Sequence, residues 1–128
     1  MYYAAKPVTV TVPAMLIRIN RLYRHNMSAH ELYEATRGVW KVGLRCMKAR
    51  YAFAVFQGVV REVYEIESWH DAATTPYTTR VAAQLTTNGR REFIGHVASA
   101  EIRDAYVGRS VADEFPQGLQ SPVVYMNC

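Results

Sequence analysis

The sequence predicts a single α+β domain in which about six strands are interrupted by two short helices. Of the 128 residues, 50% are apolar and 20% are charged, which is typical of a folded chain with one core. Short β-prone segments alternate with turn residues along most of the chain, and the two helical segments fall between strand pairs. This order argues against a doubly wound parallel sheet and favours an α+β fold or a small barrel.

Residues 1–13 are predicted to form either an extended arm or an edge strand. Threonine alternates with valine over residues 8–12, but Pro13 interrupts the run, and proline cannot donate a hydrogen bond to a central ladder. Residues 15–20 alternate between apolar and mostly polar side chains, which predicts a strand with one buried face.

The first helix is predicted to begin at Ser28. Its side chain and that of Glu31 have the spacing of a capping box, in which each side chain accepts a hydrogen bond from the backbone amide of the other residue. We expect Gly38 to end the helix in the left-handed conformation.

A hairpin is predicted after this helix. The segment Tyr51–Phe56 is apolar on both faces, which indicates a central strand, and Gln57-Gly58 supplies a two-residue turn. The chain is expected to return over residues 59–68, with three apolar side chains sharing one face: Val60, Tyr64 and Ile66.

The second half of the chain is predicted to form a loop, a hairpin, a helix and a last strand. Residues 69–80 have a loop composition, and Asn88-Gly89 predicts a turn between strands on either side. Ser99 is expected to cap a short helix that ends at Gly108, and residues 123–127 form a final strand.

Basic residues are segregated from acidic ones. The net charge is +4, but two long stretches carry cations with no acid. Those in residues 1–30 are Lys6, Arg18, Arg21 and Arg24, and those in residues 35–60 are Arg37, Lys41, Arg45, Lys48 and Arg50. Such segregation either creates a cationic face that attracts phosphates or only keeps the surface soluble.

No motif of a known reaction is present, so the sequence predicts a binding protein more than an enzyme. The patterns GxxxxGK[ST], GxGxxG, GxSxG and HExxH are all missing, and neither a cofactor nor a metal site is predicted. Tyr106-Val107-Gly108 resembles half of a GIY-YIG nuclease motif, but the other half is lacking. Cys46 among cations and the pair Glu65 and Glu67 leave open an enzyme with an unrecognised site.

The chain has no segment that predicts membrane insertion. No apolar run approaches the roughly 20 residues of a spanning helix, and the interrupted N-terminus is a poor secretion signal. We therefore expect a cytoplasmic protein. Cys46 and Cys128 are either free or paired, since a domain of this size does not need a disulfide.

Tryptophan beside cations suggests a ligand-binding surface. Trp40 follows the predicted helix end and precedes Lys41, so its ring could stack on a nucleobase while neighbouring cations hold phosphates. Trp69 follows a predicted strand. The alternative is that both tryptophans plug the ends of a small barrel.

Several segments together resemble a bacterial region of unassigned function that lies C-terminal to GIY-YIG nuclease domains. They are ELYEATRGVWKVG, YAFAVFQGVVREVYEIESW, FIGHVA, AYVGRSV and FPQGLQSPVVYMNC, and the resemblance extends from about Met15 onward. The helix, the tryptophan-containing turn and the hairpin are also similar to the PUA-like superfamily, particularly its EVE and ASCH branches.

The PUA-like resemblance implies a small mixed β pseudo-barrel flanked by helices, with an aromatic and basic pocket for nucleic acid. EVE-like members are associated with modified bases. No base-reading acid or amide is matched here, and the lysine and glutamate arrangement of an ASCH amidohydrolase is lacking. The residues expected to bind nucleic acid or another ligand are Arg37, Gly38, Trp40, Lys41, Arg45, Lys48, Tyr51 and Trp69.

Three functional hypotheses follow from these observations. The leading one is a nucleic-acid-binding module that recognises a modified or flipped base. The second is a protein-interaction or regulatory module that works with a nuclease or toxin system. The third is a small-molecule-binding domain or an enzyme. DNA and RNA are not distinguished by the sequence, and neither is the oligomeric state.

Overall fold

A five-stranded mixed sheet forms the middle layer of the protein. The structure, a computed structural model, describes residues 5–80 and 89–128. The strands are β1 (Ala14–Arg18), β2 (Tyr51–Phe56), β3 (Val59–Asp71), β4 (Arg91–Val97) and β5 (Val123–Met126). Their order across the sheet is β4-β3-β2-β1-β5, in which β1 and β2 are parallel and all other neighbours are antiparallel.

The α+β class is confirmed, but the described strands form an open sheet and not a closed barrel. Five strands are described instead of about six, and β4 and β5 are its edges. Two helices accompany the sheet, α1 (Ala29–Arg37) and α2 (Ala100–Tyr106), together with two short 3₁₀ helices at Leu44–Lys48 and Ala112–Glu114.

Each face of the sheet carries its own apolar cluster. Tyr33 of α1 packs on the cluster that contains Tyr64 and Phe93, whereas Tyr106 of α2 belongs to the cluster that contains Phe53 and Val60. Burial on both faces explains the continuous apolar sequence of β2, as predicted. β1 is also buried on both faces, so the prediction of a polar face there is wrong. Leu16 packs in the cluster on the α2 side, whereas Met15 and Ile17 pack in the cluster on the α1 side, so both faces of the strand are covered.

The predicted hairpin between β2 and β3 is confirmed. Gln57 and Gly58 both have positive φ, 51° and 78°, as expected of a two-residue turn that matches strand twist. The predicted sharing of one face by Val60 and Tyr64 is wrong. The pairing shifts register by one residue near Arg61, so Val60 packs on the α2 side and Tyr64 on the α1 side.

Residues 33–40 cover the outer edge of β4. Trp40 and Arg91 exchange two backbone hydrogen bonds of 2.9 Å. The amide of Gly95 donates to the Tyr33 hydroxyl at 3.0 Å, and Arg37 donates to the carbonyl of Phe93 at 3.4 Å. These contacts satisfy edge groups that would otherwise be free to pair with another chain.

The capping box of α1 is confirmed by two 3.1 Å hydrogen bonds between Ser28 and Glu31. Gly38 follows the helix with a φ of −175°, so the expected left-handed conformation is wrong. Glycine is needed there because a Cβ atom would lie 2.9 Å from the Cβ of Glu92 and would also meet the Tyr77 hydroxyl. At α2, Ser99 occupies the N-cap position, but its side chain makes no capping hydrogen bond.

Residues 5–13 form an arm without a regular strand. The Ser110 amide donates to the carbonyl of Lys6 at 2.8 Å, and the Val8 amide donates to the Ser110 carbonyl at 3.1 Å. The first strand predicted for the hairpin at Asn88-Gly89 lies outside the described residues, whereas β4 pairs with β3. None of the helices in the described ranges is long and apolar enough to cross a membrane.

Candidate functional site

A basic cleft of about 830 Å³ opens where the chain leaves β1. Segments 18–22, 39–41 and 120–122 line it, together with one arginine from each side of residues 81–89. Its lining contains five cations and, among the described residues, no acidic side chain. The five cations are Arg18, Arg21, Lys41, Arg80 and Arg90.

Three of these arginines are held by backbone carbonyl oxygens. Arg18 donates to the carbonyls of Leu119 and Ser121, each at 2.7 Å, and Arg90 donates to the carbonyl of Val39 at 3.4 Å. Arg80 donates to the carbonyl of Gly38. Because a carbonyl is uncharged, this anchoring fixes each guanidinium group without neutralising its charge.

The cleft cations lack the acidic partners that some cations elsewhere have. Over the described ranges, no carboxylate lies within 4.0 Å of any of the five, whereas Arg50 lies 3.3 Å from Glu65 and Arg103 lies 2.7 Å from Glu62. Partial burial lowers the pKa of Arg80, which indicates a guanidinium that has lost some of its hydration. The cleft is therefore a region of concentrated positive charge that an anion could neutralise.

Behind the cleft lies a carboxylate network, which consists of Glu34, Arg37, Glu92 and the loop 73–79. Glu92 is completely buried and accepts hydrogen bonds from the amides of Ala73 and Thr75 at 2.5 and 2.8 Å. The Tyr77 hydroxyl donates to it at 3.1 Å, and Arg37 lies 3.8 Å away. Burial alone would raise the pKa of Glu92, but the donors from Thr75 and Ala73 hold it below its usual range.

Glu34 holds the other half of the loop. It is buried and accepts the amides of Thr78 and Thr79 at 2.9 and 2.6 Å, and His30 lies 3.3 Å away. Burial would raise its pKa, but the hydroxyl of Thr79 and the two loop amides hold it below the usual range. The loop therefore owes its position to two carboxylates, and its next residue is Arg80 of the basic cleft.

Of the residues predicted from the sequence, Trp40 and Lys41 line the basic cleft. Trp40 is only 9% exposed, and its indole N–H donates to the carbonyl of Thr36 at 2.7 Å. Its ring thus forms part of a wall. Lys41 is exposed at the opening.

The other six predicted residues lie outside the cleft. Arg37 is buried in the carboxylate network and Gly38 adjoins it. Tyr51 packs in the cluster on the α2 side, whereas Trp69 packs edge-on against Phe93 at 5.5 Å on the α1 side. The structure therefore does not bring Tyr51 together with either tryptophan. The last two, Arg45 and Lys48, are exposed on the 3₁₀ helix at Leu44–Lys48.

Sequence reasoning did not assign Arg18, Arg21, Arg80 or Arg90 to the site. The first two lie in an acid-free stretch, which was the available signal. Arg80 and Arg90 lie in a further acid-free stretch, residues 72–91. Their approach to the cleft depends on the carboxylate network and on the pairing of Trp40 with Arg91, which the sequence does not show.

The residues considered for catalysis have other contacts. Glu65 lies 3.3 Å from Arg50, and His96 lies 2.8 Å from Glu67. Cys46 is buried, and burial raises the pKa of its thiol. No cluster of three metal-binding side chains occurs in the part of the chain that the structure describes.

Comparisons of the chain with protein-family models, curated proteins and solved structures found no match.

Proposed function

We propose that the protein is a nucleic-acid-binding module whose basic cleft holds phosphate groups. The observation that carries the proposal is the convergence of five cations in one cleft with no carboxylate partner among the described residues. A surface that only improves solubility would not require arginines from distant parts of the chain to meet at one place.

Phosphate oxygens are suited to this lining. Arginine donates paired hydrogen bonds to phosphate, and the hydrogen bonds of ionised groups are stronger than neutral ones. Each phosphate that a cation neutralises also releases counterions, so binding should weaken steeply with salt. The carbonyl anchors of Arg18 and Arg90 reduce the ordering that binding would require.

The geometry supports phosphate binding more than recognition of a modified or flipped base. The latter hypothesis comes from the EVE-like resemblance and needs an accessible aromatic ring. Trp40 offers little exposed surface and its indole N–H already donates a hydrogen bond, so little of the ring is accessible for a base to stack on.

Two exposed lysines form a matched pair for testing this function. Lys41 lies in the cleft, and Lys48 lies outside it on the 3₁₀ helix. We expect Lys41→Ala to weaken binding of a single-stranded oligonucleotide about three- to tenfold at low salt and to reduce the salt slope by roughly one. The measurement is fluorescence anisotropy over a salt series with DNA and RNA.

Lys48→Ala should bind like the wild type in the same assay. Absence of binding at low salt would contradict the proposal, as would equal losses in the two variants.

A second candidate function is a protein-interaction module that works with a nuclease. Leu44 and Met47 are 73% and 60% exposed on the same short helix as Arg45 and Lys48. Exposed apolar side chains beside cations fit a partner that offers an apolar contact inside an acidic rim. A pull-down that recovers a nuclease with the wild type, but not with Leu44→Ser/Met47→Ser, would support this function over the first.

A further inference from the structure

The basic cleft concentrates its charge in a small volume. Its five cations line one cleft of about 830 Å³, so their like charges disfavour one another. Glu34 and Glu92 of the carboxylate network favour the charge of Arg80, but the lining itself holds no described acid beside the five cations. The ligand that stabilises such an arrangement most is one that places several negative charges close together.

The anchoring of the arginines limits how they can follow a ligand. Arg18, Arg80 and Arg90 are tied to backbone carbonyls, so they cannot easily swing out to track an extended strand. Arg21 and Lys41 are instead exposed, and neither has a side-chain hydrogen bond among the described residues. Anchored guanidinium groups inside and exposed cations at the opening suit a compact anion that enters the cleft.

The two kinds of phosphate in nucleic acids differ in charge density. An internal phosphodiester carries one negative charge, and a sugar separates it from the next. A 5′-terminal triphosphate joins its phosphate groups directly, with no sugar between them. The lining also contains the neutral side chains of Leu22 and Gln120, which could contact the attached nucleoside.

We propose that the basic cleft binds a terminal polyphosphate group, as found at the 5′ end of a nascent RNA strand or on a free nucleoside triphosphate. This inference rests on the proposed nucleic-acid function and specifies its ligand. Arg18, Arg80 and Arg90 would contact the polyphosphate within the cleft, and Arg21 and Lys41 would close on it from the opening.

The test compares three single-stranded RNA oligonucleotides of one sequence that carry a 5′-hydroxyl, a 5′-monophosphate or a 5′-triphosphate. ATP is measured beside them as the free nucleotide. Isothermal titration calorimetry at fixed ionic strength, without divalent cations, gives each Kd. We expect the 5′-triphosphate strand to bind at least tenfold more tightly than the 5′-hydroxyl strand, with the monophosphate in between.

Variants should assign this preference to the cleft. Arg90→Ala should reduce the preference for the triphosphate strand to within about twofold, and Arg21→Ala, at an exposed position, provides the same test without altering a carbonyl anchor. Lys48→Ala, outside the cleft, should leave the preference unchanged.

Each outcome separates the inference from the proposed function. Tighter binding of the triphosphate strand than of ATP identifies the strand end as the ligand, whereas equal binding identifies the nucleotide alone. Equal binding of all three strands would overturn the inference and leave the proposed function standing. If no strand binds at low salt, the proposed nucleic-acid function fails, and this inference fails with it.

Discussion

The basic cleft and the carboxylate network meet at residues 37–41, but within the described ranges charges are paired in the network and unpaired in the cleft. In the network, the charges of Glu92 and Arg37 are buried within 3.8 Å of each other and surrounded by hydrogen bonds. In the cleft, Lys41 and its neighbours have no carboxylate partner among the described residues. We therefore expect the charge of the network to stabilise the fold and the charge of the cleft to be available for a ligand.

The largest expected effect is the loss of stability when the network is broken. Glu92→Gln removes the charge opposite Arg37 and leaves that guanidinium buried without its partner. We expect the free energy of unfolding to fall by about 3–5 kcal/mol, as measured by urea denaturation. Asp104→Asn, an exposed site, should change it by less than about 0.5 kcal/mol. A loss for Glu92→Gln as small as this control would show that the network does not stabilise the fold.

The second effect is a loss of stability in acid. The pKa values of Glu34 and Glu92 are lower in the folded protein than the ordinary value of 4.5. Their contribution is therefore fully present above about pH 4.5 and is lost as the pH falls through their lowered folded values. The urea midpoint should decline below pH 4.5 in the wild type and decline less in Glu92→Gln. Parallel pH profiles for the two proteins would contradict this assignment.

A smaller effect is expected at the boundary between the two regions. Trp40→Phe removes the indole donor and leaves the buried carbonyl of Thr36 without that bond. We expect a loss of about 1–3 kcal/mol in the free energy of unfolding, with oligonucleotide affinity within about twofold of the wild type. A large loss of affinity in a stable Trp40→Phe protein would instead support base recognition by this ring.

The smallest effect on stability is expected in the cleft itself. Lys41→Ala should change the free energy of unfolding by less than about 0.5 kcal/mol while weakening oligonucleotide binding several-fold. A comparison of Lys41→Ala with Glu92→Gln distinguishes the roles of the two regions. We expect the first variant to change binding and the second to change stability. A marked loss of stability in Lys41→Ala would mean that the charge of the cleft is also structural.

Local elements were predictable because their determinants are close in sequence. The capping box of Ser28 and Glu31 and the turn at Gln57-Gly58 depend on residues a few positions apart. The burial of β2 on both faces followed from its continuous apolar sequence.

The features that were predicted wrongly depend on tertiary contacts. The register shift near Arg61 exchanges the faces of Val60 and Tyr64, and no alternation pattern shows such a shift. Gly38 is required by the approach of Glu92, which lies 54 positions later in the chain, and not by its φ angle.

The basic cleft itself was only partly predictable. Its acid-free composition was visible, but the meeting of Arg18 with Arg80 and Arg90 depends on long-range pairing and on the carboxylate network. Tyr51 was assigned to the site because it is aromatic and near basic residues in sequence, whereas strand alternation directs it to the opposite side of the sheet from Trp40.

The most direct test of the central claim is the salt dependence of oligonucleotide binding by two double variants of equal charge. Lys41→Ala/Arg90→Ala removes two cations from the cleft, and Arg45→Ala/Lys48→Ala removes two from outside it. The slope of log K against log salt should fall by roughly two for the cleft variant and remain at the wild-type value for the other. Equal slopes for the two variants would contradict the account, because binding would then follow net charge and not the cleft.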